Sequence, residues 1–193
     1  DIKKGLSKAS YQEEINFLIS NPGRNKFIKD LTLSRKGNTL LLFQLVEKHG
    51  KVLFEDINSD AGDRKVFFVY GGVDAETREE IRAITEQESD AIIVASYGTF
   101  STGINIKNLH NIIFASPSKS RIRNLQSIGR GLRRGDKKES ATLYDIADDL
   151  CWKSWNNHTL KHLAIRLKMY REEDFTFKIY NIRLNHGTHA QIN

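Results

Sequence analysis

Two runs of consecutive apolar residues constrain the fold of this chain more than any other feature: Leu40-Leu41-Leu42-Phe43 and Ala91-Ile92-Ile93-Val94-Ala95. A strand with one wet face alternates apolar and polar residues, so a strand apolar at every position has both faces covered, as in a parallel sheet between helices. Further stretches of strand character, Lys65 to Tyr70, Asn111 to Ala115 and Ala141 to Ile146, are separated by amphipathic stretches: Val46 to Ile57, Asp74 to Glu88 and about Lys119 to Arg134. Switching between the strand and the helix period in this way is a βαβ rhythm. The predicted fold is α/β, a mainly parallel sheet flanked by helices. Ligands of such sheets collect beyond the carboxyl ends of the strands. That directs attention to Gly71-Gly72, to Ser96 through Gly103 and to Pro117 through Ser120.

The flanks read differently. Ser10 ahead of Tyr11-Gln12-Glu13-Glu14 predicts a capped helix that stops at Asn21-Pro22-Gly23, and a second helix closes near Lys36-Gly37-Asn38. Past Ile146 come an aromatic patch with Trp152 and Trp155, a helix from about Asn157 to Tyr170, and an alternating run, Phe175, Phe177 and Ile179 against Thr176, Lys178 and Tyr180, which predicts a half-exposed strand. His186-Gly187-Thr188-His189 reads as loose tail. The predicted organisation is a helical linker over 1–36, the sheet domain over 37–150 and a short helix-strand extension over 151–193.

With 193 residues, 39% of them hydrophobic, the chain can bury a real core. Its charge of +6 and pI near 9.4 suit a nucleic-acid partner. The basic residues concentrate in one place: Lys119, Arg121, Arg123, Arg130, Arg133, Arg134, Lys137 and Lys138, opposed over Lys119 to Lys138 by Asp136 alone. The single cysteine, Cys151, forbids an intrachain disulfide and fits a reducing compartment. No run reaches the roughly 18 apolar residues of a membrane span, and no basic-then-apolar leader opens the chain. Beginning at Asp1 without a methionine, it is expected to be a piece of a longer polypeptide.

The segment Gln126-Ser127-Ile128-Gly129-Arg130-Gly131-Leu132-Arg133 carries the most chemistry. At about 100° per residue, Gln126, Arg130 and Arg133 share one narrow arc of a helix, and Leu125, Ile128 and Leu132 fall away from it. Arginine stays charged and presents a rigid fork of donors, so two aligned guanidinium groups suit phosphates whose charge rises during hydrolysis. A solvated basic helix face would carry the same two arginines. The segment Ala95-Ser96-Tyr97-Gly98-Thr99-Phe100-Ser101-Thr102-Gly103-Ile104-Asn105 follows a buried strand and is small and hydroxyl-rich. Such a loop can offer N–H and O–H groups to phosphate oxygens, although an ordinary strand-to-helix turn uses the same residues.

Gln-x-x-Gly-Arg-x-x-Arg resembles motif six of superfamily 2 helicases, and the loop from Ser96 to Gly103 resembles their motif five. Leu40 to Gln44 with His49-Gly50-Lys51 resembles motif four, and Phe68-Val69-Tyr70-Gly71-Gly72 with Arg78 resembles the motif that follows it. Over roughly Thr39 to Asp149 the chain is similar to the second RecA-like domain of that superfamily. Within it, Lys107-Asn108-Leu109-His110, Tyr144 to Asp149 and Phe177 to Leu184 look related to a bacteriophage branch that remodels branched DNA.

The resemblance implies an ATP-dependent DNA helicase in which Arg130, Arg133 and Gln126 serve hydrolysis, and Gly103, Asn105 and Gly129 lie by the nucleotide. Ser96, Gly98, Thr99, Gly71, Gly72, Arg78 and Lys51 then lie along the nucleic acid. Where the family often has an aspartate two residues after the motif-five glycine, this chain has Asn105, a neutral amide that can bond a ribose but not attract a charge. The implied partners are single-stranded or branched DNA and an N-terminal RecA-like domain of the same protein. The implied cofactor is ATP with Mg²⁺, and the implied location is the cytoplasm of a bacterial or phage-infected cell.

The sequence contains no Gly-x-x-x-x-Gly-Lys-Ser/Thr loop and no Asp-Glu pair closing an apolar strand, so the chain alone is not expected to hydrolyse ATP and the Mg²⁺ ligands are expected on the other domain. Asp148-Asp149 read as a cap or solvated turn. His158 and His162, at i and i+4, lack the further ligand a metal site needs. Trp152 and Trp155 read first as packing for the extension, and second as a base-stacking surface. Two other functions fit the same residues: a non-catalytic nucleic-acid-binding or annealing module, and the motor domain of a restriction or repair nuclease. Indifference to Arg133 marks the first; a nuclease motif elsewhere in the polypeptide marks the second.

Overall fold

Five strands, Thr39–Phe43 (β1), Val66–Val69 (β2), Ile92–Ser96 (β3), Asn111–Phe114 (β4) and Thr142–Asp145 (β5), form one sheet in the order β2-β3-β1-β4-β5, with every pairing parallel. The computed structural model describes residues 2–101, 106, 108–116 and 141–184. Central β1 and its neighbours β3 and β4 are buried along their whole length, while the edge strands β2 and β5 are partly exposed. The consecutive apolar runs are therefore the inner strands: Leu41 lies between Val94 and Ile113, all three fully buried. The described helices are Ile2–Leu6 (α1), Tyr11–Ser20 (α2), Pro22–Ser34 (α3), Lys51–Asp60 (α4), Ala75–Gln87 (α5), Tyr97–Ser101 (α6) and His158–Glu172 (α7). None is long and apolar enough to cross a membrane.

Local sequence explains where these helices begin. Ser10 closes a capping box: its hydroxyl accepts the Glu13 N–H, and the Glu13 carboxylate accepts the Ser10 N–H at 2.7 Å. Asn21 follows the end of α2, and its side-chain oxygen accepts the Arg24 N–H at 3.0 Å, capping α3, whose first residue is Pro22. Asp74 does the same for α5, accepting the Thr77 N–H at 2.8 Å. The stretch from Val46 was expected to be one helix. It starts instead as a π-helical turn, Val46–Gly50, before α4 takes over at Lys51.

The chain divides into two units. One contains residues 28–116 and 141–146 and holds the sheet; the other contains residues 2–27 and 147–184. In the second of these, α2 and α7 are joined through Glu14, and Arg24 pairs with Asp148 at 2.8 Å with both side chains buried or nearly so. The amino-terminal helices and the extension, separate in sequence, thus form one body. The alternating run from Phe175 is a correction to the sequence reading: it has no strand partner among the described residues, and Phe175 and Phe177 instead approach the Tyr170 ring at 6.2 and 6.1 Å. Alternation reported one sheltered face, which here is covered by an aromatic residue of α7 rather than by a neighbouring strand.

At the amino ends of the strands a single buried side chain ties several segments together. Asn38 offers its amide N–H₂ to the carbonyls of Thr85, Glu88 and Asn108 at 2.7 to 3.0 Å, and its side-chain oxygen accepts the Ala91 N–H at 2.8 Å. Its backbone N–H donates to His110 Nδ1 at 3.0 Å, which places the ring proton of the neutral imidazole on Nε2. With this end so closed by hydrogen bonds, the opposite end is where loops can meet ligands.

Candidate nucleic-acid interface

Because every strand runs the same way, the segments after β1, β2, β3 and β4 emerge along one edge of the sheet. Following β2, Val73 N–H closes a turn onto Tyr70 O at 3.0 Å and leaves Gly71 and Gly72 exposed. A side chain at Gly72 would meet the Tyr70 ring at 2.6 Å, whereas one at Gly71 would meet nothing within 4 Å. Tyr70 in turn lies 5.2 Å from Phe68, which stacks on Phe43 at 5.6 Å and Phe54 at 5.1 Å. The exposed turn is thereby fixed to the core by four aromatic rings.

Next along the edge is the end of β3. Ser96, its last residue, and Thr99, in α6, are both buried, and their hydroxyl oxygens are 2.7 Å apart. This pair folds the start of the motif-five segment back onto its own strand. Gly98 between them is exposed, with open space where a side chain would be. Gly98 lies on the outward side of the loop, and the Thr99 hydroxyl is engaged inward.

After β1 comes the π-helical turn. Gly50 presses on Phe43, since a side chain there would lie 2.4 Å from the ring. His49 is fully buried, its Nδ1 3.1 Å from Ser116 Oγ, so the segment after β1 is bonded to the segment after the adjacent strand β4. Lys51 begins α4 and pairs with Glu47 at 2.6 Å, a hydrogen bond that raises its pKa above the usual lysine value. Arg78, in α5, is half-buried, with Nε 3.4 Å from Asp74 O.

The structure thus gathers Gly71, Gly72, Ser96, Gly98, Thr99 and Lys51 at one sheet edge, with Arg78 on the helix that follows Gly72. Gly103, Asn105, Gln126, Gly129, Arg130 and Arg133 lie outside the described residues. The sequence reading did not single out the His49–Ser116 pair. A lone histidine after a strand carries no periodic signal, and only the sheet order reveals that its partner comes 67 residues later.

Away from this edge, Asp148 pairs with Arg24 and Asp149 accepts the Cys151 N–H at 2.9 Å, so both carboxylates hold structure. Tyr11 packs its ring against His158 at 6.1 Å and His162 at 5.4 Å. No group of three or more metal-ligating side chains is assembled among the described residues.

Comparison with known proteins gives the same picture. Residues 23–135 match the model of the helicase conserved C-terminal domain. The chain is 38% identical over 192 residues to the ATP-dependent DNA helicase uvsW of Enterobacteria phage T4, an alignment covering 93% of this chain and 38% of that protein. The crystal structure of T4 UvsW superposes with a TM-score of 0.75 at 37% identity, over 90% of this chain and 37% of that one. The C-terminal part of the Fun30 ATPase domain shares the fold, with a TM-score of 0.51 and 16% identity over 80% of this chain and 56% of its own. The chain therefore spans little more than a third of the length of the curated relative that it matches. The expected parallel α/β fold and the expected kinship with a phage branch of superfamily 2 helicases both hold. The chain belongs to the helicase conserved C-terminal domain family, as a UvsW-like member.

Proposed function

We propose that this chain is the second motor domain of an ATP-dependent DNA helicase acting on branched recombination and repair intermediates. The observation that carries the proposal is the row of segments at one sheet edge, Gly71-Gly72, Ser96 to Thr99 and His49 to Lys51, in a chain of this family. Exposed glycine backbone at Gly71 and Gly98 admits a phosphate chain closely, and the buried Ser96–Thr99 pair holds that backbone in one conformation. The DNA strand runs along these segments and past Arg78 and Lys51.

ATP with Mg²⁺ supplies the hydrolysable phosphoanhydride, held chiefly by an N-terminal RecA-like domain of the same protein, which brings the Mg²⁺ ligands. From this domain, Arg130 and Arg133 add positive charge at the γ-phosphoryl group, Gln126 orients them, and Gly103, Asn105 and Gly129 line the nucleotide side. Closure of the sheet domain on the first domain moves the Thr99 loop along DNA.

The test is Arg133→Ala in the complete protein. DNA-stimulated ATP hydrolysis is expected to fall by about 10³-fold or more, the range for arginine fingers, with DNA affinity retained. Hydrolysis within a few-fold of the parent overturns the finger assignment and favours a binding or annealing module.

A further inference from the structure

The charge of +6 is unevenly spread. The described residues of the unit built from 2–27 and 147–184 carry twelve lysines and arginines against seven acids, net +5, whereas those of the sheet unit carry nine against fourteen, net −5. The other large excess lies in residues 117–140, with eight basic and two acidic side chains. A polyanion is attracted to the first unit.

Within the basic unit one feature combines charge with aromatic surface. Trp152 and Trp155 exchange both backbone hydrogen bonds, at 3.1 and 2.9 Å, and so close a two-residue turn with Lys153 and Ser154 exposed at its tip. Lys153 has φ +52, while Ser154 has an ordinary negative φ. A positive φ at the first central residue alone is the pattern of a type II′ turn, where glycine is the favoured residue. A lysine is thus held where its backbone is disfavoured, which puts a cation on the tip. Both indoles are half-buried, and neither joins an aromatic pair or a side-chain hydrogen bond among the described residues. The Asp149 carboxyl is held below the ordinary aspartate value mainly by hydrogen bonds from Cys151, with Lys3 of α1 adding a small further lowering, so a second lysine flanks the segment that leads into the turn; Lys3 and Lys4 are both exposed.

We infer that this unit is a nucleic-acid contact in its own right, and that the Trp152–Trp155 turn holds unpaired nucleotides, with bases on the indole faces and phosphates at Lys153 and Lys3. Stacking is tolerant of sequence, because every base has a π-face, and lysines beside it track the backbone. The inference rests on the helicase reading only for expecting DNA as the partner. Its place outside the sheet edge gives one chain two separate holds on nucleic acid, one at the motor edge and one on the flanking unit.

The two tryptophans are the only ones in the chain, so intrinsic fluorescence reads the site directly. The chain is titrated with an unlabelled oligo-dT of about 20 nucleotides at low salt, and affinity is followed in parallel with a fluorescein-labelled copy by anisotropy. Stacking predicts quenched tryptophan emission that saturates with binding. Trp155→Leu is expected to weaken binding about 5- to 100-fold, the effect of losing one stacked base. Lys153→Gly removes the cation while relieving the backbone, and is expected to weaken binding severalfold with an unchanged or higher melting temperature, so weakened binding in that variant is not a folding defect. If the oligonucleotide binds with unchanged emission and Lys153→Gly binds like the parent, the inference fails and the sheet edge alone holds DNA. If the chain binds neither oligo-dT nor duplex at low salt, the reading of this domain as a DNA-contacting half of a motor fails with it.

Discussion

Glu14 and Thr159 are 145 residues apart, and the carboxylate of the first accepts both the N–H and the hydroxyl of the second, at 2.8 and 2.7 Å. The same carboxylate takes the His158 N–H at 2.8 Å and the Asn157 amide at 2.9 Å. Glu14 in α2 therefore caps α7, a task usually done by the residue before a helix, and it places a buried negative charge at the positive end of the helix dipole.

Replacing Glu14 with alanine leaves those donors without an acceptor and is expected to cost about 2–3 kcal/mol. Glutamine keeps one acceptor oxygen but sets an N–H₂ group against a donor, and is expected to cost about 1–2 kcal/mol. Burial alone would raise the Glu14 pKa, but the hydrogen bonds from Asn157, Thr159 and His158 outweigh it and hold the carboxyl below the ordinary glutamate value of 4.5. A lowered folded pKa means that the stabilisation is complete above the unfolded value and lost as pH falls through the folded one. Denaturant melts followed by circular dichroism at pH 7, 5 and 3 should show the gap between the parent and Glu14→Gln narrowing at pH 3. A gap that stays constant would remove Glu14 as the capping charge.

Gly37 offers a sharper steric test. Its φ is +91, and a side chain there would lie 2.7 Å from the His110 ring, the ring that accepts from Asn38 N–H. Gly37→Ala is expected to cost about 2–3 kcal/mol through backbone strain and the displaced imidazole. Asn38→Leu, of similar size but without hydrogen-bonding groups, should cost at least as much, because the Ala91 N–H and the buried carbonyls lose their partner. Thermal melts of the two variants decide this; melting within a degree or two of the parent would show that the amino end of the sheet tolerates rearrangement.

These residues show what could be read from sequence and what could not. The inner strands were legible, because Leu40 to Phe43 and Ala91 to Ala95 are apolar at every position and only a doubly covered parallel strand requires that. The cap at Ser10 was legible because capping chemistry is local, whereas Asn21, read as part of a stop, also caps the helix that follows. Glu14 was not legible, since a carboxylate three residues before a phenylalanine reads as a solvated helix face until α7 arrives from the far end of the chain. Phe175 to Tyr180 misled for a related reason: alternation reports one sheltered face, and only the tertiary structure shows that Tyr170 shelters it. At the site, local chemistry marked the glycine and hydroxyl loops, while the pairing of His49 with Ser116 depends on β1 and β4 being neighbours.

Gly50→Ala probes the π-helical turn. The added methyl would lie 2.4 Å from the Phe43 ring, which stacks on Phe68 and so supports Tyr70 and the Gly71-Gly72 turn. Overpacking of this kind costs about 1–3 kcal/mol. The expected result is a lower melting temperature together with weaker DNA binding, partly recovered by Phe43→Leu in the same chain. Failure of the second substitution to recover either property would separate the turn from the aromatic stack.

Thr99 distinguishes two ways in which the motif-five loop can serve DNA. Its hydroxyl bonds Ser96 Oγ at 2.7 Å and is buried, so its service to a strand passing Gly98 depends on holding the loop. Thr99→Val keeps the shape and loses the hydroxyl, leaving Ser96 Oγ without that partner; the fold should persist at a cost of about 1 kcal/mol. In the complete protein, the DNA concentration giving half-maximal ATP hydrolysis should rise about tenfold, equivalent to about 1.4 kcal/mol. Thr99→Ser restores the hydroxyl and should return the value toward that of the parent. Ser96→Ala removes the other half of the pair and should reproduce the Thr99→Val effect, because the loop loses the same hydrogen bond from its opposite end. If Thr99→Val is impaired while Ser96→Ala is not, the threonine hydroxyl leaves its partner to meet the DNA backbone directly, and the closed pair is the resting arrangement of the loop.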